Sequence, residues 1–138
     1  MKIHSQADYP ISETHEGSIA GPRGVMLNKI TLDAVSAGEI EIEDLRISRE
    51  ALLAQADIAR AAGRNTLALN FERGAELIDV PQDIIMQTYE LLRPGRANTQ
   101  SELLAQAKLL RDEFGAANIA DFIERAAEIY RQRGLLNE

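Results

Sequence analysis

Apolar residues recur every three or four positions through residues 48–134, which is the spacing of one face of an α-helix. Residues that start or stop helices divide this region. Ser48 is a predicted N-cap, Gly63 suits a left-handed helix end, Pro81 suits a first helical position, and Thr99-Gln100-Ser101-Glu102 is a capping box. The pattern therefore predicts four to five helices joined by short links.

Each predicted helix carries one apolar stripe. The stripes are Leu52, Leu53, Ala56 and Ala59; Leu67, Phe71, Ala75 and Ile78, behind a cap at Asn65; Ile84, Ile85, Thr88, Tyr89 and Leu92, before Pro94; Leu103, Ala107, Leu110 and Phe114, before Gly115; and Ile119, Phe122, Ile123, Ala126 and Tyr130. Stripes of this kind are buried by packing helix against helix. The predicted fold class is an all-α bundle over residues 48–138.

Residues 1–47 have a different pattern. Over residues 1–30 no helical or alternating period is sustained, and glycine and proline interrupt the chain repeatedly. Thr31 is predicted to cap a short helical turn that ends at Gly38, and residues 39–43 alternate acid with isoleucine in a connector too short to form a sheet. We predict an extended, mostly irregular N-terminal arm whose scattered apolar side chains gain by docking on another surface.

The composition narrows the class of function. With 138 residues the chain suits one domain, and 15 basic against 22 acidic residues give a net charge of −7, which argues against a nucleic-acid partner. Cysteine is absent, so disulfides and thiolate chemistry are excluded. No apolar run approaches the roughly 20 residues of a membrane span, and the first residues do not resemble a signal peptide. A cytoplasmic protein with no membrane partner is expected.

No catalytic constellation is evident in the sequence. His4 and His15 offer two metal ligands in principle, but two solvated histidines are the favoured interpretation. Residues 39–44 hold four carboxylates, a run that ordinarily forms a solvated face. Gly21-Pro22-Arg23-Gly24 lacks the lysine and the preceding strand of a phosphate loop. We predict no catalytic, cofactor-binding or metal-binding residue in this chain.

Two arginines at the end of the third predicted helix allow two interpretations. Arg93 lies at a helix C-terminus, where the helix dipole favours a cation, and Arg96 follows it. Capping and surface ion pairs account for both residues. Alternatively, both make forked contacts across a protein interface, where arginine is enriched.

Many residues along the chain match, in order, the sequence pattern of one protein family. The matching elements, in order, are Asp8-Tyr9-Pro10, Thr31-Leu32, Arg46-Ile47, Gln55, Ala59, Asn70-Phe71-x-Arg73-x-Ala75-Glu76-Leu77, Pro81, Tyr89, Leu92-Arg93-Pro94-x-Arg96, Glu102-Leu103-Leu104-Ala105 and Ala127-x-x-Tyr130. They run from about Asp8 to Arg133, and together they resemble the small (gamma) subunits of adenosylcobalamin-dependent diol and glycerol dehydratases. The family often has a Pro-Glu-Trp run after the position of His15, where this chain has Glu16-Gly17-Ser18, so the contacts of the arm are expected to differ.

The resemblance implies a subunit without chemistry of its own. In the family, the large subunit contains the active site, adenosylcobalamin lies between the large and medium subunits, and the complex is a dimer of heterotrimers, a heterohexamer. The holoenzyme is a lyase that converts a 1,2-diol to an aldehyde and water by radical rearrangement. The cofactor carries out that step, and this chain is expected to bind no cofactor.

The resemblance also implies where this chain acts. It binds and stabilises the large subunit through a predicted interface that comprises Asp8, Tyr9, Pro10, Arg46, Phe71, Arg73, Tyr89, Arg93 and Arg96. Self-association of the chain expressed alone is expected from apolar surface left without its partner. Some members carry an N-terminal extension associated with packaging in a protein-shelled microcompartment, which the seven residues before Asp8 do not support.

Two other hypotheses compete with this one. The chain could be a free-standing helical interaction or regulatory module that shares only the bundle pattern. It could also be an autonomous acid–base enzyme that uses the carboxylates of residues 39–44 and the two histidines.

Overall fold

A computed structural model describes residues 3–137 and confirms the all-α fold class. This part of the chain forms seven α-helices: α1 Ile11–Thr14, α2 Leu32–Ser36, α3 Arg49–Ala61, α4 Asn65–Leu77, α5 Gln82–Leu92, α6 Gln100–Phe114 and α7 Ala117–Gln132. It contains no β-strand, and its one isolated antiparallel bridge pairs Ala20 with Met26. None of its helices has the length and apolar character needed to cross a bilayer.

The five long helices α3–α7 are the predicted bundle helices. Before them, residues 3–47 contain only α1, α2 and three 3-10 turns, so most of the predicted arm is irregular, as expected. The turns span Gln6–Asp8, Leu27–Lys29 and Ile42–Leu45.

Most predicted helix ends are confirmed. The Ser48 hydroxyl accepts a hydrogen bond from the Ala51 amide at 3.2 Å at the start of α3. At the start of α6, Thr99 Oγ1 accepts from the Glu102 amide at 3.3 Å, and Glu102 Oε2 accepts from the Thr99 amide at 3.3 Å. Gly63 adopts a positive φ of 73°, the left-handed conformation that glycine takes without steric cost.

Other details differ from the sequence-based prediction. Helix α4 begins at Asn65 itself, because the Arg64 carbonyl already accepts the Ala68 amide, so Asn65 is not the cap. Pro81 is the N-cap of α5, one position before the predicted one. By contrast, the alternating residues 39–43 form a connector without a strand, as predicted. They lead into a 3-10 turn in which Asp44 Oδ2 accepts the Glu41 amide at 2.9 Å.

The chain divides into two compact units, with the division between Ala75 and Glu76 inside α4. In the N-terminal unit, small residues of α3 and α4 form the buried cluster: Ala56, Ala59 and Ala68 are buried, and Leu67 and Phe71 pack on them. Ala56 and Ala59 are members of the predicted stripe of α3, whereas Leu52 and Leu53 are only half-buried. The boundary at residue 47 remains a prediction.

The C-terminal unit contains the larger core. Its buried members come mainly from α6 and α7: Val80, Ala97, Leu103, Ala107, Leu110, Ala116, Ala120, Ile123, Ala127 and Leu136. A polar pair within this unit, Gln106 and Thr88, is satisfied, because Gln106 Nε2 donates to Thr88 Oγ1 at 2.8 Å and that hydroxyl donates to the Ile84 carbonyl at 2.8 Å. A buried pair of this kind costs little because each polar group has a partner.

An exposed ion-pair cluster also joins α6 to α7. Arg111 Nη1 donates to Glu124 Oε1 and Arg111 Nη2 donates to Asp121 Oδ1, each at 2.6 Å. Hydrogen bonding to Arg111 lowers the pKa of the Glu124 carboxyl below its ordinary value of 4.5. Exposed pairs stabilise only weakly, so the apolar core rather than this cluster holds the two helices together.

The N-terminus of α7 is capped from another part of the sequence. Ala116, the N-cap residue, has no side chain able to accept a hydrogen bond. Instead Glu76, in the last turn of α4, places its carboxylate over the first turn of α7: Oε1 accepts the Asn118 amide at 3.0 Å, and Oε2 accepts the Ile119 amide at 2.9 Å. Glu76 is only 7% exposed. Amides that α7 cannot satisfy itself are thus satisfied by a negative charge that the helix dipole also favours.

Replacing Glu76 with glutamine should therefore destabilise the protein. The Glu76→Gln side chain keeps one acceptor oxygen and turns an NH2 donor toward the other amide. We expect a loss of about 1–3 kcal/mol in the free energy of unfolding, measured by urea denaturation. Glu113→Gln removes the same charge from an exposed position on α6 and is the matched control. Equal losses in the two variants would contradict the capping role.

Candidate functional site

A groove of about 650 Å³ opens on the N-terminal unit. One wall is formed by residues 6–12 of the arm, and the other by α3 and the first turns of α4. Its lining residues are Gln6, Tyr9, Pro10, Ile11, Ser12, Gln55, Ile58, Ala59, Ala62, Arg64, Leu67 and Phe71. The groove thus joins segments that lie about 50 residues apart in the sequence.

The chemistry of the groove suits binding to an apolar surface. Among the described residues that line it, Arg64 is the one charged side chain. The other lining side chains are uncharged and mostly apolar. Tyr9 stands 72% exposed at the edge of the groove, with an aromatic ring and a hydroxyl available to a partner. Tyrosines of this kind are enriched in protein interfaces.

Three of the predicted interface residues meet at this groove: Tyr9, Pro10 and Phe71. Phe71 packs on the alanine cluster of α3 and α4, so it belongs to the core as well as to the groove wall. The other predicted residues of this unit lie outside the lining. Arg46 is exposed and lies 3.7 Å from Glu43, and Arg73 Nη1 donates to Asn70 Oδ1 at 3.1 Å.

The remaining predicted residues lie in the C-terminal unit, at the end of α5. Tyr89 is 57% exposed there. Glu90 pairs with both arginines: Arg93 Nη1 lies 3.1 Å from Oε1, and Arg96 Nε lies 3.9 Å from Oε2. Both guanidinium groups remain about half exposed, so this shared pair leaves donors directed to solvent. The geometry accommodates the surface-pair interpretation and the interface interpretation alike.

Exposed apolar side chains are concentrated in the arm. Of the thirteen large apolar side chains that are exposed among residues 3–137, eight precede residue 48: Ile3, Tyr9, Met26, Leu32, Val35, Ile42, Leu45 and Ile47. Single exposed apolar residues are ordinary, but this density within 45 residues is typical of a segment that another surface covers. The prediction that the arm carries apolar docking residues therefore has a structural basis.

The arm is nevertheless fixed to its own unit at definite points. Asp44 is 2% exposed, and its Oδ2 lies 3.1 Å from Arg23 Nη1, which also lies 2.9 Å from Glu41 Oε2. The His4 amide donates to Asp57 Oδ2 on α3 at 3.3 Å. The expectation of a solvated acidic face is correct for Glu41 and wrong for Asp44, because the arginine 21 residues earlier folds onto it.

The expectation of two solvated histidines is also wrong. His4 and His15 are half-buried, with ring centroids 5.2 Å apart, and Asp8 Oδ1 lies 3.3 Å from His15 Nε2. No periodic pattern in the sequence indicates this arrangement, because the turn over Gln6–Asp8 and helix α1 bring the three side chains together.

Comparison with known proteins decides the family. A family model described as "Dehydratase small subunit" matches residues 4–137. A propanediol dehydratase small subunit of Citrobacter freundii is 40% identical over 126 residues, which are 91% of this chain and 73% of that protein. Its counterpart from Salmonella typhimurium (strain LT2) is 41% identical over 127 residues, which are 92% of this chain and 73% of that protein.

The chain belongs to the dehydratase small subunit family. Membership confirms the resemblance drawn from the sequence and favours a subunit of a dehydratase over a free-standing helical module or an autonomous acid–base enzyme. It leaves the individual interface residues as predictions. The sequence did not indicate Ile58 and Arg64 as members of the groove. Ile58 lies on α3 three residues after Gln55, on the same helix face, and that spacing could have identified it, whereas Arg64 lies in the link before α4, where no helical period applies.

A glycine substitution tests whether this small subunit needs its arm fixed as observed. A β-carbon at Gly21 would lie 2.8 Å from the Asp44 carbonyl oxygen, so Gly21→Ala must displace the backbone that carries Asp44. We expect faster hydrogen exchange over residues 3–47, with a stability loss of about 1–3 kcal/mol.

Gly17→Ala is the matched control, because its new β-carbon would meet only the Asn28 side chain at 3.8 Å. If exchange over residues 3–47 is as slow in Gly21→Ala as in Gly17→Ala, the close approach of Gly21 to Asp44 does not hold the arm.

Proposed function

We propose that this chain is the small subunit of an adenosylcobalamin-dependent diol or glycerol dehydratase, and that it binds and stabilises the large catalytic subunit. The relatives' name, propanediol dehydratase small subunit, supports propane-1,2-diol as one substrate of the complex. The assembly is a dimer of heterotrimers of large, medium and small subunits, and it works in the cytoplasm.

The observation that carries the proposal is the exposed apolar surface of the arm beside the groove of about 650 Å³. Covering such side chains contributes about 25 cal/mol for each Å² of apolar surface removed from water. We place Tyr9, Pro10 and Phe71 at the centre of the contact, with Asp8, Arg46 and Arg73 around them. Tyr89, Arg93 and Arg96 form a second contact, in which forked guanidinium groups meet carboxylates or carbonyls of the partner.

The residues of this chain do not fit adenosylcobalamin itself. A corrin ring with its axial ligands and nucleotide loop is much larger than the described groove, whose lining is mainly apolar. In the proposed holoenzyme the cofactor lies between the large and medium subunits, as the resemblance to the family implies, and supplies the radical that rearranges the diol. This chain contributes no step of that reaction and acts only by holding its partner.

Coexpression tests the proposal directly. Produced together with the large and medium subunits from the same source, the chain should copurify with both. The complex should convert propane-1,2-diol or glycerol to an aldehyde when adenosylcobalamin is added. The chain alone should be inactive and should self-associate. Activity of the chain alone would show that it contains catalytic residues. Failure to copurify would favour a free-standing interaction module.

Tyr9→Ala tests the arm contact without disturbing the core. Because Tyr9 is largely exposed, the melting temperature of the isolated chain should not change. Loss of a buried interface tyrosine costs about 2 kcal/mol or more, so affinity for the large and medium subunits should fall about 30-fold.

Leu104→Ala removes an exposed apolar side chain of α6 outside the proposed contact and should leave assembly unchanged. Phe71→Ala is less informative, since losing a packed phenylalanine costs about 3–5 kcal/mol of stability in its own right. If Tyr9→Ala and Leu104→Ala bind the large and medium subunits with equal affinity, Tyr9 and its arm do not contribute to the interface.

A further inference from the structure

Three side chains of the arm converge on one point. His4, Asp8 and His15 each offer one ligand atom, and these atoms lie within 4.8 Å of one another. The two imidazole rings are arranged edge to face at 78°, and all three residues are half-buried. The structural reason is local: the turn over Gln6–Asp8 and the four residues of α1 return the chain so that His15 faces Asp8.

Hydrogen bonds fix which nitrogen of His15 carries a proton. Thr14 Oγ1 lies 2.6 Å from the Asp8 carbonyl oxygen and 3.2 Å from the Pro10 carbonyl oxygen, so its single proton is donated to these backbone acceptors. The same hydroxyl lies 2.8 Å from His15 Nδ1 and must accept from it. We therefore assign the proton to Nδ1. In the neutral ring, the lone pair of Nε2 then points toward the Asp8 carboxylate.

That carboxylate oxygen, Asp8 Oδ1, lies 3.3 Å from His15 Nε2. Two acceptors at this distance repel each other unless a cation lies between them, either a proton on Nε2 or a metal ion. Zinc bonds of 2.0–2.1 Å at a tetrahedral angle separate two nitrogen or oxygen ligands by about 3.3 Å. The observed separation is therefore already that of a ligand pair.

The third side chain favours the metal ion over the proton. A proton joins two atoms, whereas His4 brings another imidazole nitrogen to the same point. His4 Nδ1 is buried and has no hydrogen-bond partner among the described residues. An unpaired buried nitrogen is costly, and coordination compensates that cost.

The surroundings have the features of a metal site. Asp8 Oδ2 accepts from the Ser5 amide at 2.7 Å and from the Ser5 hydroxyl at 3.0 Å, which directs Oδ1 toward His15. Thr14 orients the His15 ring in the same way. Such outer partners set the orientation of ligands. Both histidines also line a cavity of about 330 Å³, which gives an ion a path of entry.

We propose that His4, Asp8 and His15 form a binding site for a divalent transition-metal ion, with Zn²⁺ best suited to two imidazoles and one carboxylate. Imidazole ligands disfavour Mg²⁺ and Ca²⁺, which prefer oxygen. A water molecule would complete the tetrahedron. The ion would join residue 4 to residue 15 and so fix the start of the arm. The proposal does not rest on the proposed assembly with dehydratase subunits, although Asp8 also lies at the edge of that proposed contact.

Calorimetric titration of the full chain, prepared without a histidine tag, with ZnCl2 tests the site. We expect one Zn²⁺ per chain. Losing an outer-shell partner already weakens metal binding about 10–100-fold, so Asp8→Asn and His15→Gln should weaken it at least as much. Asp112→Asn removes the same charge from an exposed position on α6 and should bind as the wild type does. Absence of saturable binding by the wild-type chain would overturn the proposal.

Two further measurements keep the test decisive if a ligand variant unfolds. Thr14→Val removes the partner of His15 Nδ1 and keeps all three ligands, so zinc affinity should fall about tenfold or more while circular dichroism stays unchanged. Cobalt(II) in place of zinc should give the visible absorption of a four-coordinate ion. Zinc binding that Thr14→Val, Asp8→Asn and His15→Gln all leave unaltered would place the metal elsewhere. A protonated His15 Nε2 in excess zinc, seen by nitrogen NMR, would show that a proton alone holds the pair.

Discussion

The carboxylate of Glu76 is the polar contact on which the C-terminal unit depends most. Helix α7 begins with Ala117 directly after a tight turn at Gly115, and Ala116 has no side chain able to satisfy the first amides. The Glu76 carboxylate accepts hydrogen bonds from two of these amides, which lie 42 and 43 residues later in the sequence. The apolar faces of α6 and α7 pack together around Leu103, Leu110 and Ile123, each of which is inaccessible to solvent. Loss of the cap at the start of α7 would also disturb the packing of this core, because the helix end and the packed face belong to one rigid helix.

The two units differ in how many large apolar side chains they expose. The C-terminal unit encloses Leu103, Leu110 and Ile123 completely and exposes five large apolar side chains, whereas the shorter arm of the N-terminal unit exposes eight. A small chain that exposes so much apolar surface gains free energy when another protein covers it. Membership of the dehydratase small subunit family supplies that context, and the groove accounts for why residues as distant as Tyr9 and Phe71 belong to one surface.

The arm is irregular in secondary structure but specific in its contacts. Asp44 is enclosed with Arg23, Gly21 lies against the backbone of Asp44, and the His4 amide reaches α3. Each contact joins residues that no helical or alternating period relates. The same feature explains His4, Asp8 and His15, which share a site only because a 3-10 turn and one short helix reverse the chain between them.

The sequence by itself determined the all-α class, the five long helices and most of their ends. Those features depend on residues within one or two turns of each other, as at Ser48, Gly63 and the Thr99–Glu102 capping box. The resemblance drawn from many aligned residues likewise identified the family. Only the tertiary structure decided that Asp44 is buried, that Glu76 caps α7, and that Tyr9, Pro10 and Phe71 share a groove. These contacts join positions between 21 and 62 residues apart, and chain geometry, rather than local propensity, brings such positions together.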